Sequence, residues 1–251
     1  MSHTDIDRAA IPRKTCLVFF LVDTSDFMAG QKIAALNSAI EETLAKFSEM
    51  NAVSADIEIE VAFLEFSYGA RWLTPNGPIK VENYFWSDLD AGGLSDMGEA
   101  FRLLEEKLQT GDNGFFKREK FYYSPILWLM SAAAPSDDYK AHLIKLKENK
   151  WFKKSIKIAL AIGDDVNDLL LTEFTGRKTA VVRVPDGIST GYKLSKMVRF
   201  IAPWDDCDDW DDADQWIIYA DDSVISSPCV VSISDTTSQT LTPEDCEKWE
   251  C

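Results

Sequence analysis

The stretch Cys16-Leu17-Val18-Phe19-Phe20-Leu21-Val22 is a run of seven apolar residues, and it is followed at once by Asp23-Thr24-Ser25-Asp26-Phe27. A continuous apolar run of this length, closed by polar residues, predicts a strand that is buried on both faces of a sheet. Apolar residues then recur at helical spacing over Gln31–Met50, which predicts an amphipathic helix. We therefore expect the Asp23 carboxylate and the Ser25 hydroxyl at the carboxyl end of a buried strand, where open α/β sheets bind ligands.

Strand and helix patterns continue to alternate up to Phe200, which predicts an α/β fold. The expected architecture is Rossmann-like, with a mostly parallel central sheet, one antiparallel edge strand and helices on both faces. The predicted strands are Thr15–Val22, Ile57–Phe66, Ala70–Leu73, Ile126–Met130, Ile156–Ile162 and Thr179–Val182. The predicted helices are Gln31–Met50, Asp96–Leu108, Asp138–Glu148, Val166–Phe174 and Gly191–Phe200.

Composition disfavours two classes of partner. The 251 residues carry a formal net charge of −16 with a pI near 4.5, so we expect neither a sequence-independent grip on nucleic acid nor attraction to anionic membranes. Met1–Lys14 lacks the apolar run of a secretory signal, and no stretch is apolar for long enough to span a bilayer. The five cysteines show no CxxC spacing, and we expect a reducing cytoplasm.

Composition changes after Pro203, where an acidic, Trp-rich extension is predicted. Seven aspartates between Asp205 and Asp214 crowd around Trp204, Trp210 and Trp216. We interpret residues 203–251 as an extension that packs partly on a main domain of residues 12–202. The aspartates could steer a basic partner, could fold back over the domain's own loops, or could form a solvated connector, and the tryptophans are candidate interface anchors.

Three segments resemble, in their order and spacing, the three loops of a von Willebrand factor type A (VWA) domain. These segments are Asp23–Phe27, Gly92–Gly98 and Met130–Asp138. The metal-ion-dependent adhesion site (MIDAS) of VWA domains uses D-x-S-x-S, a Thr and an Asp. The resemblance covers about Pro12–Ala202, and it is to the bacterial tellurite-resistance-type VWA proteins. It implies a Rossmann-like VWA fold and a site for a divalent cation.

The ligand set carried over from the resemblance is incomplete. Asp23 and Ser25 match the first two ligands, and Ser95 can replace the Thr hydroxyl. Phe27 stands at the position of the second Ser, and Ala132 stands at that of the Asp, so two oxygen ligands are missing. Since Mg²⁺ prefers about six oxygens, we expect a degenerate site with no cofactor, or with weakly held Mg²⁺.

Nearby carboxylates allow two interpretations of this site. Asp26 and Asp96 lie next to the missing ligands and could compensate for them. Alternatively, Asp23 and Ser25 cap the following loop through backbone amides, as short polar residues readily do. We expect Asp137 and Asp138 to act as an N-cap and first-turn pair for the helix that ends near Glu148.

A rival interpretation is a Mg²⁺-dependent phosphatase. Ile162–Asp168 resembles the GDxxND motif of haloacid-dehalogenase-type phosphatases, with Asp23 as nucleophile and Ser131 as the inner-strand hydroxyl. Those enzymes need a second Asp two residues after the nucleophile, and this chain has Ser25 there. A relay of nucleophile, base and acid would have to use His142, on a predicted helix. Both enzymatic alternatives are disfavoured.

The function expected from the sequence is therefore non-enzymatic. We predict a VWA adaptor or scaffold that binds protein partners, with Phe27, Trp204, Trp210 and Trp216 on its interaction surface. The resemblance implies a bacterial stress-response or signalling system in which a kinase or a phosphatase is the partner. The alternative is a metal-dependent binding module that uses Asp23, Ser25 and Ser95.

Overall fold

The apolar run that opens the chain forms a central strand, β1 (Lys14–Asp23), in which every residue after Lys14 is buried. The structure, a computed structural model, describes residues 13–164 and 166–184. The predicted helix 191–200 and the extension 203–251, with Trp204, Trp210 and Trp216, lie outside the described residues. Within the described part of the chain, no helix has the length and apolar character that a bilayer crossing requires.

The other strands are β2 (Ile57–Ser67), β3 (Gly69–Trp72), β4 (Ile79–Lys80), β5 (Ile126–Ser131), β6 (Ile156–Ile162) and β7 (Val181–Val184). They form one sheet in the order β3-β2-β1-β5-β6-β7, and β4 also pairs with β2. The pairs β1–β2, β1–β5, β5–β6 and β6–β7 are parallel, whereas β3 and β4 run antiparallel to β2. The mostly parallel sheet with an antiparallel edge is thus confirmed.

The helices are α1 (Gln31–Val53), α2 (Met97–Lys107), α3 (Tyr139–Glu148), α4 (Lys150–Lys154) and α5 (Asp168–Thr175). Alternate residues of β1 contribute to two separate cores. Phe20 packs in the core that contains Leu36 and Phe47 of α1. Phe19 packs in the opposite core, which contains Phe101 of α2 and residues of α3, α4 and α5. Helices therefore cover both faces of the sheet, as predicted.

Several details differ from the prediction. The last described strand begins at Val181 instead of Thr179, because Lys178–Ala180 form a 3₁₀ turn. The two-residue strand β4 and the five-residue helix α4 were not predicted, since segments this short carry too few residues to show a period. These differences lie away from the strand ends on which the predicted site depends, whereas a 3₁₀ turn that was not predicted, Asp26–Met28, follows β1 at that site.

Candidate functional site

Asp23 is the last residue of β1, and its carboxylate is fully buried among hydrogen-bond donors. Its Oδ1 accepts the backbone N–H of Ser25 at 2.9 Å. Its Oδ2 accepts the hydroxyl of Ser131 at 2.9 Å, the N–H of Ala132 at 3.2 Å and the hydroxyl of Ser95 at 3.4 Å. Four donors from three segments of the chain therefore converge on one carboxylate.

These segments meet at the edge of the sheet where the parallel strands end, which we call the carboxyl edge. Backbone hydrogen bonds join its loops: the N–H of Gly92 donates to Thr24 O at 2.7 Å, and the N–H of Asp26 donates to Gly93 O at 3.0 Å. The N–H of Ser136 donates to Ser95 O at 2.8 Å. The structure thus brings together the three segments that the sequence singled out, and Ser95 lies beside Asp23 as expected.

The other MIDAS-related positions differ in what they offer. Ser25 is fully buried, and its Oγ has no hydrogen-bond partner among the described residues. Phe27 is 51% exposed and points an apolar ring to the surface. Ala132 is buried, its methyl side chain carries no oxygen, and its backbone N–H donates to Asp23 Oδ2. The oxygens close to Asp23 are therefore hydroxyls, and no second carboxylate hydrogen-bonds with them in the described residues.

The two carboxylates considered as compensating ligands are placed differently from each other. Asp96 is committed to fastening loops, because its Oδ2 accepts the N–H of Gly69 and its Oδ1 accepts the hydroxyl of Ser136, both at 2.7 Å. Asp26 is exposed, and its side chain makes no hydrogen bond or ion pair with another described residue. Groups of three or more His, Cys, Asp or Glu side chains that could hold a metal ion are absent from residues 13–164 and 166–184.

Asp137 was expected to cap α3, and that expectation is wrong. Its two carboxylate oxygens accept the N–H groups of Gly98 and Glu99, both at 2.9 Å, so it caps the start of α2 and not that of α3. Asp138 is the N-cap residue of α3, but its side chain makes no capping hydrogen bond. The loop after β5 lies against the first turn of α2, and this contact between distant segments could not be deduced from local spacing.

The described residues of Ile162–Asp168, the stretch that resembles GDxxND, make contacts that stabilise the fold. Gly163 adopts a positive φ of 86°, and its N–H donates to Val184 O at 2.8 Å. Asn167 caps α5 by accepting the N–H of Leu170 at 3.2 Å, and Asp168 forms an ion pair with Arg183. Asp165 lies outside the described residues. These contacts account for the motif as a turn and a helix start.

The carboxyl edge also presents apolar side chains to solvent. Phe27, Tyr68 and Leu94 are 51%, 75% and 50% exposed, and we call these three residues the apolar rim. Their loops converge at Gly93: its carbonyl accepts the N–H of Asp26, and the Tyr68 ring lies 2.6 Å from the position that a Cβ on Gly93 would take. Phe27 was predicted, whereas Tyr68 and Leu94 were missed. The sequence did contain a signal for these two residues, since each stands next to a glycine in a turn, as Tyr68-Gly69 and Gly93-Leu94.

Solved structures with the same fold are similar to this chain at low sequence identity. Proximal thread matrix protein 1 of the mussel byssus, solved with a zinc-occupied MIDAS motif, is 16% identical with a TM-score of 0.56, over 75% of this chain and 47% of its own. A von Willebrand factor type A protein from Catenulispora acidiphila is 13% identical with a TM-score of 0.53, over 74% and 42%. The pilus adhesin SpaC from Lactobacillus rhamnosus GG is 12% identical with a TM-score of 0.55, over 74% and 30%.

This chain spans less than half the length of each of those proteins. No protein-family model and no curated protein matches its sequence. At identities this low, the likeness concerns architecture: a mostly parallel sheet covered by helices on both faces, with loops gathered at the strand ends. On that evidence, the chain has the fold of a von Willebrand factor type A domain.

Proposed function

We propose that this protein is a non-enzymatic interaction module that binds a protein partner at its carboxyl edge without a bound cation. The observation that carries the proposal is the set of four protein donors around the Asp23 carboxylate. Hydrogen bonds from these donors stabilise a buried carboxylate in the way that a cation otherwise would. The carboxylate therefore has a full set of partners within the protein.

The donor set around Asp23 fits a divalent cation poorly. Water could complete the coordination of Mg²⁺, but the protein would offer one carboxylate and the hydroxyls of Ser25, Ser95 and Ser131, and both oxygens of that carboxylate already accept hydrogen bonds. The N–H of Ala132 donates a hydrogen bond to Asp23 Oδ2, and the side chains of Ala132 and Phe27 supply no oxygen. We infer that the site is a degenerate MIDAS in which hydrogen bonding replaces the ion.

The apolar rim supports binding through side chains. Exposed aromatic residues next to a polar loop edge are typical anchors of protein interfaces. Asp26 is exposed beside Phe27, so a surface that combines apolar groups with basic residues would complement this edge. SpaC, one of the proteins that share the fold, is a pilus adhesin.

The cellular setting is a further part of this proposal, and it rests on the family resemblance. We infer a cytoplasmic adaptor or scaffold in a bacterial stress-response or signalling system, with a kinase or a phosphatase as its partner. We also infer that residues 12–202 form the VWA domain and that residues 203–251 form a separate acidic extension.

Affinity capture from the native cell extract tests the proposal with matched variants. Phe27→Ser/Tyr68→Ser removes the aromatic part of the rim. Phe85→Ser/Phe121→Ser removes two exposed aromatic residues that do not belong to the rim. A partner should be retained in EDTA by the wild type and by the control, and lost by the rim variant. The captured protein is then purified and titrated directly, and equal affinity for both variants would refute the proposal.

A metal-dependent binding module is the second candidate, and one observation favours it. The buried Ser25 Oγ has no partner among the described residues, and such an atom could coordinate an ion. Calorimetry and melting curves with Mg²⁺ and Mn²⁺ separate the candidates, because a ligand of the native state raises its stability. We expect no heat of binding and an unchanged melting temperature; a rise that Ser25→Ala abolishes would establish the metal-dependent module.

The phosphatase is disfavoured by the burial of its would-be nucleophile. Asp23 has no exposed surface, and both of its oxygens accept hydrogen bonds, so neither is free to attack a phosphate ester. A generic phosphate ester with Mg²⁺ should not be turned over by the wild type. Turnover that Asp23→Asn abolishes would overturn the non-enzymatic assignment.

A further inference from the structure

The edge of the sheet opposite to the site carries a concentration of positive charge. Between Lys147 and Lys157 the chain has five lysines and one acidic residue, Glu148, although the whole protein has a net charge of −16. The C-terminal part of α3, helix α4 and the first residues of β6 lie at this edge, where the parallel strands begin. We call it the amino edge. A cluster of lysines in so acidic a protein is a candidate binding surface for an anionic ligand.

An open cavity of about 460 Å³ lies within this basic surface. Its lining residues come from α3, α4, β6 and α5, and they are Lys147, Phe152, Lys153, Lys157, Thr172, Glu173, Phe174 and Gly176. The rings of Phe152 and Phe174 pack edge to face with centroids 5.5 Å apart. Because Phe152 and Phe174 are 3% and 0% exposed, they belong to the core beneath the cavity, and the groups that a ligand would meet are three ammonium groups and one carboxylate.

The ammonium groups lack anionic partners within the described residues. Lys147 and Lys153 are exposed and form no ion pair with any carboxylate of residues 13–164 and 166–184. Lys157 Nζ donates to the carbonyls of Phe152 and Ser155 at 2.9 and 2.8 Å. Burial and then the charge of Arg177 lower the pKa of Lys157 to about 8. A nearby anion would stabilise this cluster.

The chain itself contains a segment with the complementary chemistry. Residues 204–216 hold seven aspartates and three tryptophans, and the centre reads Asp208-Asp209-Trp210-Asp211-Asp212. An indole flanked by carboxylates matches a cavity that is lined by lysines, whose apolar stems can contact the ring and whose ammonium groups can pair with the carboxylates. Charge pairing between lysines and aspartates and the contact of a lysine ammonium group with the indole face would act together.

The segment can reach this cavity from the last described residue. Val184 ends β7 at the carboxyl edge, and Trp204 is 20 residues further on. If residues 191–200 form the predicted helix, they span about 15 Å, and the other ten residues add at most about 35 Å when extended. The sheet is about 23 Å deep along the seven residues of β6. The distance from one edge to the other is within reach.

Charge argues against the alternative in which the segment masks the carboxyl edge. The loops 23–27, 90–96 and 131–138 carry aspartates and no lysine or arginine; these are Asp23, Asp26, Asp90, Asp96, Asp137 and Asp138. Seven further aspartates brought against them would be repelled. The amino edge is therefore the favourable destination.

We propose that residues 204–216 dock in cis on the basic cavity lined by Lys147, Lys153 and Lys157, with aspartates paired with the exposed Lys147 and Lys153 and an indole against a lysine ammonium group. This contact holds the acidic segment away from the apolar rim. It does not depend on the function proposed for the carboxyl edge, because the two edges use different residues.

Carbodiimide cross-linking of the full-length wild-type protein tests this contact. At low ionic strength, amide bonds should join Lys147 or Lys153 to residues 205–214, and they should be lost in about 0.5 M salt, where screening is strong. Mixing ¹⁴N and ¹⁵N chains shows whether both residues belong to one molecule. Absence of these bonds, bonds only between molecules, or equal coupling to Lys140 at the other end of α3 would overturn the proposal.

A charge exchange supplies a second, independent measurement. In the full chain, Lys147→Glu/Lys153→Glu should increase amide hydrogen exchange over residues 204–216, whereas the matched Lys140→Glu/Lys145→Glu should not. Adding Asp208→Lys/Asp209→Lys to the first variant should restore protection. Equal hydrogen exchange in all variants would refute docking. If the chain forms no internal cross-links and added polyaspartate or RNA protects Lys147 and Lys153 from chemical modification, docking is also refuted, because the cavity then binds a separate anionic partner.

Discussion

At the scale of single residues, the buried carboxylate of Asp23 organises the carboxyl edge. Its hydrogen bonds bind the ends of β1 and β5 to the loop that holds Ser95, so one side chain fixes the relative positions of three segments. Removing this carboxylate should lower the free energy of unfolding, because the buried donors would lose their acceptor and would not regain hydrogen bonds to water.

We predict that Asp23→Ala lowers the free energy of unfolding by about 3 kcal/mol or more, because several buried donors lose a charged acceptor. Asp26→Ala is the matched control. Its side chain is exposed and makes no hydrogen bond or ion pair with another described residue, so its effect should stay within about 0.5 kcal/mol. Urea unfolding measures both changes, and similar values for the two variants would contradict the organising role of Asp23.

A second prediction concerns the thiol of Cys16 in the central strand. Cys16 is fully buried, and burial raises its pKa far above the ordinary value because the thiolate is poorly solvated. Since the thiolate is the reactive form, iodoacetamide at pH 8 should leave Cys16 unmodified in the native protein and alkylate it in denaturant. Peptide mass spectrometry reads the modification. Equal rates in both conditions would show that the strand opens readily.

At the scale of elements, the start of α2 depends on a side chain from another loop. The N-cap residue Asp96 makes no capping hydrogen bond at this helix, and its carboxylate binds Gly69 and Ser136 instead. Asp137 supplies the missing acceptors to Gly98 and Glu99. The cap therefore also holds the loop after β5 against α2.

We predict that Asp137→Ala destabilises the protein by about 1–2 kcal/mol, the usual cost of losing a helix cap. Asp138→Ala is the natural control, because the two residues are neighbours and the Asp138 side chain caps nothing. Thermal unfolding followed by circular dichroism compares the two. A larger effect from Asp138 would mean that the cap belongs to α3 after all.

At the scale of the whole molecule, the two cores share β1 and should therefore unfold together. Phe19 and Phe20 are adjacent and fully buried, but they belong to opposite faces of the sheet. Phe19→Ala and Phe20→Ala should each shift one common transition by about 3–5 kcal/mol. Far-ultraviolet circular dichroism and tryptophan fluorescence should report the same urea midpoint. Two separate midpoints in either variant would show that the faces unfold independently.

Most of the fold could be predicted because the apolar patterns are long and unbroken. The run from Cys16 to Val22 marks a strand buried on both faces, and the order of strands and helices then implies parallel neighbours. The residues gathered around Asp23 also followed from that order, since parallel strands end at one edge. The segments that escaped prediction, β4 and α4, have two and five residues and show no period.

The finer features of the site depend on contacts between distant segments. Asp137 caps α2 because the fold places it at the start of that helix, and its partner Glu99 lies 38 residues earlier in the chain. The exposure of Tyr68 and Leu94 depends on how their loops pack around Gly93. Neither is encoded in the neighbouring residues, so a local pattern cannot reveal it.

The separation of charge between the two ends of the sheet has a consequence for encounters in solution. With aspartates on the loops at one end and the lysines of α3 and α4 at the other, the described part of the chain has an electric dipole directed along its strands. A charged molecule that approaches the protein is oriented by this dipole before the two surfaces make contact. Cationic surfaces are therefore guided to the aspartate end, whereas the lysine end attracts anionic surfaces only when residues 204–216 do not cover it.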